Sequence, residues 1–219
     1  MSVAGPRTAA PRSRRRRVAG APGAILVVIS GPSGVGKDAV IEALRRRPEE
    51  RDTHYVVTCA TRARRPGEVD GMSYRFVDPE RFAAMRAGGE LLEANEVHGH
   101  WYGTPRDQVV EALGAGRDVI LKIDVQGARE VRRRVPQAVL IFIVPPSPED
   151  LEARLRGRAT ESDDELAVRQ RNAAAELARQ GDYDYIVVNE TGQVDRTAAR
   201  IAEIIAAEHR AHPERRVTV

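Results

Sequence analysis

Ala24–Ile29 is an unbroken aliphatic run, and after Ser30 comes Gly31-Pro32-Ser33-Gly34-Val35-Gly36-Lys37. The run has no polar alternation, so it predicts a parallel strand buried on both faces. The seven residues after it fit G-x-x-x-x-G-K, and residues 38–47 carry Ala39, Val40, Ala43 and Leu44 at helical spacing. Strand, glycine loop and helix in that order predict a phosphate cradle. Glycines let the backbone curl until its N–H groups point at phosphate oxygens, and the helix N-terminus adds partial positive charge. Lys37 is placed to meet the β- and γ-phosphates of a nucleoside triphosphate. One position departs from the motif. A Ser or Thr hydroxyl is expected after the lysine as a magnesium ligand, and this chain has Asp38. Carboxylate oxygens also suit Mg2+, so Asp38 is the expected metal ligand, with its charge beside the phosphates to be balanced.

The rest of the chain alternates in kind. Short strands are predicted at 55–58, 119–123, 139–144 and 185–188. Helices are predicted at 79–87, 105–113, 148–158, then, after a polar turn at Thr160–Asp164, through about 180, and at 194–208. Thr61–Gly71, rich in Arg, Pro and Gly, reads as a loop or hairpin. Strands alternating with helices argue for an α/β fold with a parallel sheet core and helices on both faces. No apolar run reaches the roughly 18 residues of a membrane span, and no signal-type apolar segment follows the basic N-terminus. The single cysteine, Cys59, excludes a disulfide framework and a multi-cysteine zinc site. A cytoplasmic protein is expected.

Charge divides unevenly. Residues 1–22 hold six arginines and no acid, so the formal +3 of the chain becomes −3 over residues 23–219. The N-terminal stretch predicts a disordered basic tail, and the remainder is not a basic surface built for nucleic acid. Of 35 basic residues only Lys37 and Lys122 are lysines. A chain so biased to arginine points, where it keeps a lysine, to a need for a compact ammonium.

Further motifs carry a resemblance. Thr58-Cys59-Ala60-Thr61-Arg62, Arg65-Pro66-Gly67-Glu68, Gly71, Tyr74 and Phe76-Val77 are followed by Glu93, Gly99, Tyr102-Gly103-Thr104 and Ile123-Asp124-Val125-Gln126-Gly127. Arg154-Leu155-x-x-Arg158, Arg169 and Tyr183–Asn189 complete the series. In this order, over about residues 25–208, the chain resembles guanylate kinases. The resemblance implies a P-loop nucleoside-monophosphate kinase fold with a core (23–57, 107–150, 177–219), a GMP-binding segment (58–106) and a lid (151–176). It implies ATP and GMP as substrates, with dGMP tolerance left open, Mg2+ accompanying ATP, and no obligate protein partner.

Roles follow residue by residue. Glu93 and Asp124 are implied to read guanine, whose N1–H and 2-amino donors suit a carboxylate, with Thr58 and Thr104 completing the base pocket. Arg62, Arg65, Tyr74 and Tyr102 are implied to grip the GMP phosphate. Arg154, Arg158 and Arg169 are implied lid arginines acting with Lys37 on the transferring phosphoryl group. Asn189 resembles a position near the adenine. Lys122 stands where many members have an acid, and it and Asp38 are similar to variants in plastid-type members. The alternatives are a catalytically silent guanylate-kinase-like binding module, a P-loop kinase for another phosphate ester, and a nucleic-acid binder working through its tail. Gly36-Lys37 and the lid arginines argue against the first, and Glu93, Thr58 and Asp124 against the second.

Overall fold

The computed structural model describes residues 18–97, 99–156 and 171–219. Five parallel strands form the main sheet in the order β2 (His54–Tyr55), β7 (Val119–Lys122), β1 (Leu26–Ser30), β8 (Val139–Val144), β9 (Tyr185–Val188). The central strand β1 is buried along its whole length, as its uninterrupted aliphatic pattern predicts. Its alternate side chains feed two separate cores. Ile25, Val27 and Ile29 pack with Val40 and Leu44 of α1 (Lys37–Arg45) and Ile201 and Ile205 of α6 (Val194–Ala211). Leu26 and Val28 pack on the other side with Val109 and Leu113 of α3 (Arg106–Gly114) and Val131 of α4 (Val125–Arg134). Each such side chain contributes roughly 1.5–3 kcal/mol by leaving water. A charge at Val27 or Val28 would break the layering.

A second sheet was not foreseen. It has the order β4 (Arg75–Phe76), β3 (Cys59–Ala60), β6 (His100–Pro105), β5 (Leu91–Val97), with β5 and β6 an antiparallel pair. Cys59, Phe82, Met85 and Leu91 form its small core beneath α2 (Pro79–Ala87). Cys59 is packing, and burial pushes its thiol pKa up. α2 begins where Pro79 follows Asp78, whose carboxylate accepts the Arg81 N–H at 2.6 Å.

The strand expected over 55–58 ends earlier. The Gln108 side chain bonds both the N–H (3.0 Å) and the carbonyl (3.1 Å) of Val57, in place of a ladder partner. The chain then passes from one sheet to the other at Thr58. Within the stretch expected as a tail over 1–22, residues 1–17 lie outside the described residues, and Val18–Gly23 is tied to the C-terminal segment. Val18 and Val219 exchange backbone hydrogen bonds of 2.9 and 3.0 Å, and Gly20 donates to Val217 at 2.8 Å. Val217 and Val219 are buried there, which gives this pairing its apolar support.

Candidate functional site

The cradle is built where β1 meets α1. Gly31 passes so close to β8 that a Cβ would lie 2.4 Å from the Ile143 carbonyl oxygen. Gly36 caps α1 in the left-handed region at φ 98°, which any other residue would resist. Asn189 and Arg154 hold the loop from outside. The Asn189 amide donates to the Val35 carbonyl at 2.7 Å, and its own oxygen accepts from Thr197 at 3.0 Å. Arg154, on α5 (Pro148–Arg156), donates to the carbonyls of Val35 (3.1 Å) and Asn189 (2.8 Å).

Inside the loop, the Lys37 ammonium donates to the carbonyls of Gly31 (2.5 Å) and Pro32 (3.1 Å). Burial pulls its pKa down, against the carboxylates of Glu176, Asp38 and Asp124. The Ser33 N–H meets an oxygen of Glu176 at 2.9 Å. Asp38, in the first turn of α1, is ion-paired with Lys122. Burial works against the Lys122 ammonium, but the Tyr74 phenol and Asp38 carboxylate outweigh it and raise its pKa.

Opposite the cradle stands Glu93, on β5 and 3% exposed. Thr104 donates to its Oε1 at 2.6 Å and Asn95 to its Oε2 at 2.8 Å. Burial still dominates, pushing the carboxyl up to about 7, with the charges of Asp124 and Glu130 adding to the effect. Asp124 caps α4, accepting the Gly127 N–H at 2.8 Å, and burial raises its pKa as well. Gly127 lets the helix approach, since a Cβ there would sit 2.9 Å from Glu93 Oε2.

Thr58, Tyr74, Tyr102, Glu93 and Asp124 share one cavity of about 200 Å³ with Gly31, Ser33, Lys37 and Asp38. A cleft of about 650 Å³ adjoins it through Val97, Asp124 and Glu176. Arg62 is buried beside the cavity, bonded to both oxygens of Glu68 at 2.6 and 2.5 Å and to the Tyr102 hydroxyl at 3.1 Å. That double hydrogen bond from Arg62 holds the Glu68 carboxyl down at about 2. Tyr74 packs edge-on against Tyr102, 5.9 Å between centroids.

Comparison with known proteins matches a guanylate kinase family model over residues 24–208. The chain belongs to the guanylate kinase family. It is 43% identical over 189 residues to a guanylate kinase of Bordetella pertussis, covering 85% of each chain. It is 46% identical over 185 residues to one of Streptococcus agalactiae, covering 84% of this chain and 87% of the relative. A crystal structure of guanylate kinase from Anaplasma phagocytophilum superposes with a TM-score of 0.69 at 33% identity, over 87% of this chain and 88% of that one.

Against this guanylate kinase fold, the expected residues fall into groups. Gly31–Asp38 form the cradle, and Thr58, Tyr74, Glu93, Tyr102 and Asp124 line the cavity with it. Thr104 touches Glu93 from behind. The Arg65 side chain is exposed, and its backbone N–H donates to Glu68 at 2.8 Å. Arg158 and Arg169 lie outside the described residues. Three participants were missed: Asn95, Glu68 and Glu176. Asn95 had a signal, because two residues beyond Glu93 on a strand is the same face. Glu176 had none, since its contact with Ser33 spans 143 residues.

Proposed function

We propose that this chain transfers the γ-phosphoryl group of ATP to GMP, giving ADP and GDP. The observation that carries the reading is the buried, doubly braced Glu93 carboxylate facing a phosphate cradle across one cavity. Ionised Glu93 accepts the N1–H and 2-amino donors of guanine; adenine offers an acceptor at N1 and is refused. Asp124 and the hydroxyls of Thr58 and Thr104 complete that pocket. Arg62, held in place by Glu68, acts with Arg65, Tyr74 and Tyr102 on the GMP phosphate.

Gly31–Gly36 supply backbone N–H groups, and Lys37 turns from the loop carbonyls to the outer ATP phosphates. Asn189 acts on the nucleotide through the loop it braces. Arg154, Arg158 and Arg169 belong to the lid at 151–176, and 58–106 is the GMP-binding segment. Catalysis is positioning and charge stabilisation, with no covalent intermediate.

Among the described residues no cluster of three His, Cys, Asp or Glu side chains could hold a metal by itself. Asp38, 75% exposed in its side chain, suits a magnesium ion that arrives with ATP, which takes few protein carboxylates and keeps several waters. Asp38 would hold it, and the ion would neutralise charge on the β- and γ-phosphates.

A coupled ADP-release assay across GMP, AMP, UMP and CMP tests the reading. GMP should exceed the others in kcat/KM by at least a hundredfold. A different preferred acceptor would refute the guanine assignment, and GMP binding without turnover would point to a silent binding module.

A further inference from the structure

We propose that Lys122 is a catalytic residue in this chain, its ammonium bridging the GMP phosphate and the phosphoryl group in transfer. The inference rests on the GMP kinase reading and adds a residue which that reading leaves unused.

Three contacts place the ammonium between the two halves of the site. Lys122 ends β7 and pairs with Ile29 of β1, so its backbone lies beside the entry to the cradle. Its Nζ is ion-paired with Asp38, the residue after Lys37. The same Nζ lies 5.0 Å from the centroid of the Tyr74 ring, on the acceptor side. Lys37 and Lys122, the two lysines among 35 basic residues, therefore line one cavity. Stability does not account for this placement, because the Asp38 partner is 75% exposed and such pairs contribute little.

The reaction has a use for the charge. A phosphate oxygen of GMP forms a bond to the γ-phosphorus while the bond to the β,γ-bridging oxygen breaks. The electron pair of that bond stays on the ADP β-phosphate, and no proton needs to move. Two anions must approach each other, and charge is spread over the equatorial oxygens in transit. A compact ammonium with three donors can follow that movement, where a planar guanidinium fork is built for fixed partners. Asp38 is then a positioning residue that keeps the ammonium between donor and acceptor.

The test uses the full chain with Lys122→Ala, Lys122→Met and Lys122→Arg. Wild type is assayed first on GMP and MgATP; if it does not turn over GMP, the functional reading fails before Lys122 is examined. For the Met and Ala variants kcat should fall by about a hundredfold or more. The Kd values for GMP and MgATP, from calorimetry, should move by less than about threefold. Lys122→Arg should recover part of the loss, and ethylammonium in the buffer should partly restore Lys122→Ala. Lys122→Met retains the length of the side chain and carries the test should the Ala variant melt early. A kcat within threefold of wild type in Lys122→Met, or a loss lying wholly in GMP or ATP affinity, overturns the proposal.

Discussion

Glu176 accepts the Ser33 backbone N–H at 2.9 Å, which puts a carboxylate inside the loop that the sequence builds for phosphate. The two anions compete for one set of donors, and Glu176 adds like-charge repulsion. Glu176→Gln keeps an acceptor for Ser33 and removes the charge. Affinity for a non-hydrolysable ATP analogue should rise by roughly three- to tenfold in a calorimetric titration. Equal or weaker affinity would mean that Glu176 is no competitor.

Glu93 should make GMP recognition depend on pH. Its carboxyl is held near 7 by burial, and in the proposed role it must be ionised to accept from guanine. GMP affinity should therefore weaken about tenfold per unit below pH 7 and level off above it, with ATP affinity flat over the same range. Glu93→Gln should abolish the slope and cost on the order of 2–5 kcal/mol in kcat/KM for GMP.

The same carboxyl gives a stability prediction of definite sign. A folded pKa raised from 4.5 to about 7 means the protonated group is accommodated below 4.5 and stability is lost as pH rises through 7. Relative to wild type, Glu93→Gln should gain stability between pH 5 and 8, by up to roughly 3 kcal/mol. Urea midpoints across that range would show it, and a difference independent of pH would place the titration elsewhere.

Gly127→Ala should damage GMP use without touching the cradle. The added methyl meets Glu93 Oε2, 2.9 Å away, which Asn95 already holds while Thr104 holds the other oxygen of the carboxylate. KM for GMP should rise roughly tenfold, with KM for ATP within twofold. Steady-state kinetics with each substrate varied in turn would decide it.

The N-terminal boundary is testable by two truncations. Removing residues 1–17 leaves the pairing of Val18 with Val219 intact, so melting temperature and kinetics should be unchanged. Removing 1–22 deletes that pairing along with the hydrogen bonds from Gly20 to Val217 and from Ala21 to Leu113. At roughly 1 kcal/mol per bond, about 4 kcal/mol in all, the melting temperature should fall by about 8–16 °C, with turnover at 25 °C within about twofold. Equal melting temperatures would show that the pairing contributes nothing.

What could be read from the sequence follows from what each strand packs against. β1, β7 and β8 lie inside a sheet covered by helices, so much of their length announces itself as apolar runs; β9, at the edge, shows the same run although Ile186 and Val188 are exposed. β5 and β6 stayed hidden because their alternation is spent on the cavity: Glu93, Asn95, Tyr102 and Thr104 occupy positions where a core strand would carry Leu or Val. The cradle residues were legible because one local motif contains them. Glu176, Asn95 and the pairing of Arg62 with Glu68 were not, since each depends on how a side chain is satisfied once the fold has formed.

The switch of the chain at Thr58, where Gln108 ends one strand and the next begins in another sheet, divides the labour of the enzyme. Lys37, Asp38 and Lys122 ride on the parallel sheet or the helix against it, while Thr58, Tyr74, Glu93 and Tyr102 belong to the smaller sheet or its borders. On the proposed reading, acceptor choice is thus for the most part a replaceable reading head mounted on a fixed motor, with Asp124 its one contact from the motor side. Selection or design could exchange residues 58–106, together with Asp124, for a segment reading another base and leave the phosphoryl-transfer machinery as it stands.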